Sequence, residues 1–213
     1  MKKVGIIGSG VVGIALAKGF MKYGYATTIA SRSEDKRKEL EQQVEGITTN
    51  SFSDTVKDRD IVVLAVKGTK AIAAINEIGI ENLIGKIVID ATNPIEESAP
   101  ENGVLKYFTN INHSLMEQLQ NLAPAAHFVK AFSSVGNALM IDPNFESKPT
   151  MFICGNDDNA KIAVTEILTQ FGWEAEDLGK ATAARAIEPL AMLWCIPGML
   201  KGQWSHAFKL LKK

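Results

Sequence analysis

Short apolar runs alternate with longer amphipathic stretches along most of this chain. Residues 4–8, 25–30, 61–66, 86–90, 127–131 and 151–154 read as buried strands. Between them, 11–23, 34–44, 69–78, the neighbourhood of 114–122 and 157–171 carry helical spacing, the first with Ile14, Leu16, Ala17 and Phe20 on offer for packing. Continuous apolar strands joined by helices predict a parallel sheet covered on both faces. Right-handed crossovers then make the arrangement an α/β, doubly wound Rossmann fold. Past 173–177 the pattern changes. Residues 181–194 and 198–211 both read as helices, separated by Pro197-Gly198, and are expected to form a small C-terminal helical extension.

The turn after the first strand carries candidate chemistry. Gly8, Ser9, Gly10, Val11, Val12 and Gly13 form a GxGxxG that follows a strand and opens a helix, the context in which the motif is informative. Gly8 permits the tight turn, Gly10 leaves room for a pyrophosphate, and Gly13 lets the helix lie close to the strand. The helix N-terminus offers free N–H groups and a positive dipole end to phosphate oxygens.

The choice of dinucleotide is expected at the end of the second strand. An NAD site usually has Asp or Glu there for the ribose 2′-hydroxyl. Here the chain reads Ala30-Ser31-Arg32-Ser33, with Lys36 one helical turn on. Arg32 can grip a 2′-phosphate with two N–H groups, Ser31 and Ser33 can donate to it, and Lys36 adds a point charge, so NADP(H) is favoured. By topology, Ala65, Val66 and Lys67 line the adenosine or diphosphate side, Asn93 approaches the nicotinamide ribose, and Ala131, Phe132 and Ser133 lie on the reacting side.

Composition narrows the field. The 213 residues are 46% hydrophobic and 22% charged, with net charge −1, enough for a full core. A near-neutral chain without clustered Lys and Arg argues against nucleic acid as a partner. Cys154 and Cys195 have no metal-ligand spacing, so no metal site is expected. No apolar run is long enough to cross a membrane, and the N-terminal VGIIGSGVVGIALAKGF reads as strand–turn–helix in place of a leader, so a cytoplasmic location is expected.

Titratable candidates for catalysis are few. His113 reads as a helix cap or surface group, His127 as structural, and His206 as an exposed residue of the last helix. Lys67 and Lys130 sit near strand ends, where cofactor contact or solvation is expected. Arg185 and Glu188, three apart on one helix, are expected to pair and to hold that helix in place. Cys195 reads as a core thiol. Met192, Leu193, Trp194, Met199, Leu200 and Trp204 form an apolar set suited to core, dimer interface or the wall of an acceptor pocket. No side chain is assigned as catalytic.

At this point GIIGSGVVGIALA, SRSEDK, DIVVLAVKG, DATNP and VKAFSSVGNALM, followed by MFICGNDDNAK and GWEAEDLGKATAARAIEPLAMLW, resemble in order the coenzyme F420-dependent NADP oxidoreductase family. The cytosolic reductase domain of the STEAP metalloreductases is similar. The resemblance implies NADP(H) along the sheet edge and a deazaflavin or flavin acceptor (F420, FMN, FAD or riboflavin) in a cleft closed by the C-terminal segment. It also implies a homodimer. Residues 1–155 would be the NADP-binding Rossmann domain, and 156–213 an extension shaping the acceptor cleft and the dimer contact. Hydride transfer to a flavin-like ring needs no protein acid, because the ring can exchange its proton with solvent. Two alternatives stay open at this stage: an NADPH-dependent reductase of a small carbonyl or imine, which would need a proton donor, and a non-catalytic NADP(H)-binding redox sensor or partner module.

Overall fold

A computed structural model describes residues 2–213. Six strands follow the apolar runs: β1 (Lys3–Ile7), β2 (Ala26–Ala30), β4 (Ile61–Leu64), β5 (Ile87–Asp90), β6 (His127–Lys130) and β7 (Thr150–Gly155). Short β3 (Thr48–Asn50) joins at one edge, and β7 and β8 (Glu174–Asp177) extend the other, giving the order β3-β2-β1-β4-β5-β6-β7-β8. Helices α1 (Val11–Lys22), α2 (Glu34–Gln43), α3 (Phe52–Lys57), α4 (Ala71–Ile78), α5 (Leu115–Leu122), α6 (Asp158–Gln170) and α7 (Ala184–Lys201) complete the fold. The chain is an α/β Rossmann fold, and its strand order reverses between β1 and β4.

The apolar runs are continuous because successive strand residues feed two different cores. Ile6, Val63, Ile89 and Val129 face one side, with Leu16 and Phe20 of α1 and Val164 and Ile167 of α6. Ile7, Val62, Leu64, Val88 and Phe128 face the other, with Ala74 and Ile75 of α4 and Leu119 of α5. The helices start where short polar side chains can take an orphan N–H: Ser33 accepts from Lys36, Asp157 from Ala160, and Ser114 forms a reciprocal capping box with Glu117.

Three expectations change. The sheet is parallel from β3 to β6, but β7 runs antiparallel to β6 and overlaps it by only two residue pairs, Val129–Gly155 and Lys130–Cys154. Residues 131–149 contain no crossover helix to carry the chain back to the other edge, so it enters β7 from the edge at which β6 leaves. The segment 45–60 holds β3 and α3, which the apolar pattern alone did not reveal; α3 starts at Ser51, whose hydroxyl accepts from the N–H of Asp54.

The third change is at the C-terminus. A single helix, α7, runs through Pro189 and Pro197 and stops at Gly202, which takes φ 66° and returns its N–H to Gly198. Residues 203–213 are not helical. They fold back as an extended tail, Phe208 accepting from Thr150, with Lys209 and Lys212 meeting Glu174 and Glu176 on β8. His206 therefore lies on this tail, half-buried and stacked on Trp194 at 5.0 Å, and is not an exposed helical residue.

Candidate cofactor cleft

The cleft opens at the carboxyl ends of the strands, across the switch between β1 and β4. It has a volume of about 890 Å³. Its floor is the glycine turn. Gly8 has φ 120°, and a side chain there would meet the Ala65 carbonyl at 2.4 Å; one at Gly13 would meet the Gly8 carbonyl at 2.0 Å. Both glycines are needed for the turn itself and lie beneath the cleft. Gly10 differs, because a side chain there would meet nothing within 4 Å. Nothing in the packing requires glycine at this position, and the space it keeps open belongs to the cleft.

Gly10 is also the N-cap of α1, with no side chain capping it and no acidic residue in the first turn. Ser9, Gly10, Val11 and Val12 line the cleft, and Val11 is left 68% exposed there. An uncapped helix N-terminus beside an open glycine cradle suits an anionic ligand.

At the end of the cleft beside β2, Arg32 lines it, its guanidinium 5.1 Å from the ring centroid of Phe52. Its Nε donates to Glu77 Oε2 at 2.6 Å. Ser31 is buried under the turn, with Ser9 Oγ 3.4 Å from its hydroxyl, and Ser33 is spent as the N-cap of α2. Lys36 turns to Glu39 at 2.8 Å and does not line the cleft. Arg37 braces the same corner by donating to the carbonyl of Ser31 at 2.8 Å.

Ala65, Val66 and Lys67 line the middle of the cleft. Lys67 meets Glu97 at 3.2 Å, and that contact, with Lys70 nearby, holds the Glu97 carboxyl below its ordinary pKa. The pair ties the loop after β5 to the loop after β4. Phe52, Lys70, Glu96 and Glu97 are cleft residues that the sequence reading missed. A signal for Phe52 was available, since Ser51-Phe52-Ser53-Asp54 has the spacing of a helix start.

The far end is polar and tightly buried. Asn93 lines the cleft, and its Nδ2 donates to the Ser133 carbonyl at 2.7 Å. Asn93 Oδ1 and Ser133 Oγ are buried without a hydrogen-bond partner among the described residues. Buried polar atoms are ordinarily paired, and of these two residues Asn93 lines the cleft while Ser133 does not. Ala131 and Phe132 are buried beneath this corner. Phe132 is held at φ 61°, a conformation costing a bulky residue on the order of 1–3 kcal/mol, and this turn sets the Ser133 carbonyl toward Asn93.

Lys130 is not solvated and does not itself line the cleft. It is fully buried, pairing with Asp90 at 2.7 Å and Glu188 at 3.0 Å and donating to the Thr92 carbonyl at 2.8 Å. Burial pulls its pKa down, but the two carboxylates outweigh that and hold it above the ordinary value. Arg185 and Glu188 do not pair with each other. Arg185 grips Glu117 with two nitrogens, while Glu188 turns inward to Lys130 and accepts from the N–H groups of Leu115 and Met116 at 3.0 Å each. Three residues of spacing allowed a contact, and the buried ammonium and the open start of α5 offered Glu188 better partners. Cys195 is half-buried, which raises its thiol pKa, and buried Cys154 is pushed up to about 12, so neither is a ready thiolate.

Residues 3–94, covering the glycine turn and the cleft as far as Asn93, match the family model described as NADP oxidoreductase, coenzyme F420-dependent. The resemblance is to NADP-dependent oxidoreductases. Over 203 residues the chain is 27% identical to the F420-dependent NADP reductase of Methanocaldococcus jannaschii, covering 90% of each. It is 28% identical over 205 residues to the metalloreductase STEAP3 of Rattus norvegicus, covering 93% of this chain and spanning 39% of the rat protein. A solved structure from Arthrobacter sp. FB24, provisionally named an F420-dependent NADP reductase, superposes with a TM-score of 0.92 at 28% identity, over the full length of both chains. No helix of the described residues is long and apolar enough to cross a membrane.

Proposed function

We propose that this chain binds NADP(H) in the cleft and passes hydride between it and a flavin-like acceptor: F420, FMN, FAD or riboflavin. The observation that carries the reading is the open cradle at Gly10 under an uncapped α1, with Arg32 at the end of β2 where an NAD site would have a carboxylate. The N–H groups of Val11 and Val12 would hold the diphosphate, and Gly8 and Gly13 would shape its turn. Arg32, which lines the cleft, would select the 2′-phosphate, without the help expected of Ser31, Ser33 and Lys36, which are buried, capping α2 and turned to Glu39 respectively. Asn93 Oδ1, an acceptor without a partner on a cleft-lining residue, would take the amine of the carboxamide.

NADPH supplies the hydride when bound. The protein supplies position and excludes water. The titratable groups lining the cleft are Arg32, Lys67, Lys70, Glu96 and Glu97, with Lys67 already held by Glu97. None has the buried setting of a tuned acid, which supports an acceptor that takes its proton from solvent. In this reading residues 1–155 form the cofactor unit. Residues 156–213 contribute the acceptor side, and the exposed Leu193, Met199 and Leu200 of α7 offer a contact to a second copy in a cytoplasmic homodimer.

Calorimetry with NADP⁺ and NAD⁺, followed by stopped-flow mixing of NADPH-loaded protein with F420, FMN, FAD and riboflavin, tests the proposal. Preferential NADP⁺ binding and oxidation above the free-solution rate are expected. Binding of neither dinucleotide defeats the reading at its root. A bell-shaped pH profile with a carbonyl or imine substrate, without flavin turnover, would move it to the reductases of small molecules.

A further inference from the structure

Arg32 is held on two sides. Phe52, almost fully buried, lies under the guanidinium, and Glu77 of α4 takes its Nε edge at 2.6 Å. The two side chains of the ion pair are 51% and 42% exposed, so the pair contributes little to the stability of the fold. Its effect is on the geometry of Arg32. A long side chain that would otherwise sample many rotamers is held between the ring and the carboxylate. Glu77 engages Nε alone. Neither terminal nitrogen of Arg32 makes a hydrogen bond among the described residues, and Arg32 lines the cleft. A guanidinium so held has two N–H groups left to offer a phosphate.

We infer that Glu77 is a positioning residue for cofactor choice, acting through Arg32 to favour the dinucleotide that carries a 2′-phosphate. The inference rests on the reading of the cleft as an NADP(H) site. A carboxylate at the end of β2 would accept a hydrogen bond from the ribose 2′-hydroxyl and select NAD. Glu77 comes from a different element, and its charge is answered by Arg32. It orders the arginine before the ligand arrives, so that binding does not bear the cost of immobilising it. NAD, without the phosphate, gains nothing from that ordering.

The test is calorimetric titration of the full chain with NADP⁺ and NAD⁺ at one ionic strength, for the wild type, Glu77→Ala and Glu77→Gln. Glu77→Ala should weaken NADP⁺ about three- to tenfold, the range expected for fixing one long side chain, and leave NAD⁺ within about twofold. Glu77→Gln keeps an oxygen acceptor for Nε and should retain most of the affinity. Unchanged or tighter NADP⁺ binding by Glu77→Ala overturns the inference, as does equal weakening of both dinucleotides, which is what a merely structural role would give. These results leave the cofactor reading standing, which fails separately if the wild type shows no preference for NADP⁺.

Discussion

Lys130 Nζ lies 3.0 Å from Glu188 Oε1, with both side chains sealed from solvent. The contact joins the end of β6 to the C-terminal helix α7. Asp90, the in-register neighbour of Lys130 on β5, supplies a second carboxylate at 2.7 Å. Two carboxylates and one ammonium leave an excess negative charge, which the N–H groups of Leu115 and Met116 at the start of α5 help to meet. Because Lys130 also donates to Thr92, the loop that carries Asn93 into the cleft rests on this buried cluster.

Removing the cation should be far worse than softening one of the anions. Lys130→Met strands two buried carboxylates and should cost about 3–5 kcal/mol in urea unfolding. Glu188→Gln keeps the shape and an acceptor for α5 and should cost about 1–3 kcal/mol. A loss for Lys130→Met below about 1 kcal/mol would show that the cluster is not held as an ion triad.

The glycine turn separates folding from binding. Gly13→Ala drives a methyl group into the Gly8 carbonyl and should yield little folded protein. Gly10→Ala meets nothing, and φ −81° suits alanine, so its thermal unfolding should stay close to wild type. Its dinucleotide affinity should fall by on the order of tenfold or more, as the methyl group occupies the cradle. Normal NADP⁺ affinity for Gly10→Ala, measured by calorimetry, would place the diphosphate elsewhere.

Most of the architecture was legible because it is written in short-range periodicity. The five central parallel strands and, α3 apart, the helices between them are specified by their own residues, and the glycine turn announces itself by spacing. The parts that were not legible depend on long-range partners. Arg185 and Glu188 are one helical turn apart, yet each is claimed by a residue about seventy positions away, Glu117 and Leu115–Met116, which no periodicity encodes. Pro197 looked like a break between helices, and the helix ends at Gly202 instead. In the cleft, the glycine turn and the strand ends could be placed by topology. The contacts of Phe52 and Glu77 with Arg32 could not, even where a helix start marks Phe52, since both side chains reach Arg32 in directions that only packing fixes.

Acid should loosen the seat of α7 on α5. Arg185 holds the Glu117 carboxyl at about 2, from an ordinary 4.5, with the Ser114 N–H and hydroxyl adding to the effect. A carboxylate with a lowered folded-state pKa contributes stability that is complete above 4.5 and is lost as pH falls toward 2. Arg185→Ala should therefore flatten the fall in stability across that window, seen as a smaller difference in urea midpoint between pH 5 and pH 3. An unchanged difference would mean that Glu117 titrates independently of Arg185.

Arg32 carries the choice of dinucleotide in the proposed function, and its removal is the sharper companion to changes at Glu77. Arg32→Ala deletes the charge and both terminal N–H groups. Losing charge-assisted bonds to a phosphate costs about 1.5–3 kcal/mol, or roughly ten- to 150-fold in NADP⁺ affinity. NAD⁺ offers no phosphate to that corner and should change by only a fewfold, through loss of the cation beside Phe52. Arg32→Lys should behave more like alanine than like arginine, because an ammonium cannot span two phosphate oxygens in one plane while also meeting Glu77. Parallel titrations of the two dinucleotides against both variants measure the difference directly. If NADP⁺ and NAD⁺ weaken by the same factor, the end of β2 binds no 2′-phosphate and the preference must arise from another corner of the cleft.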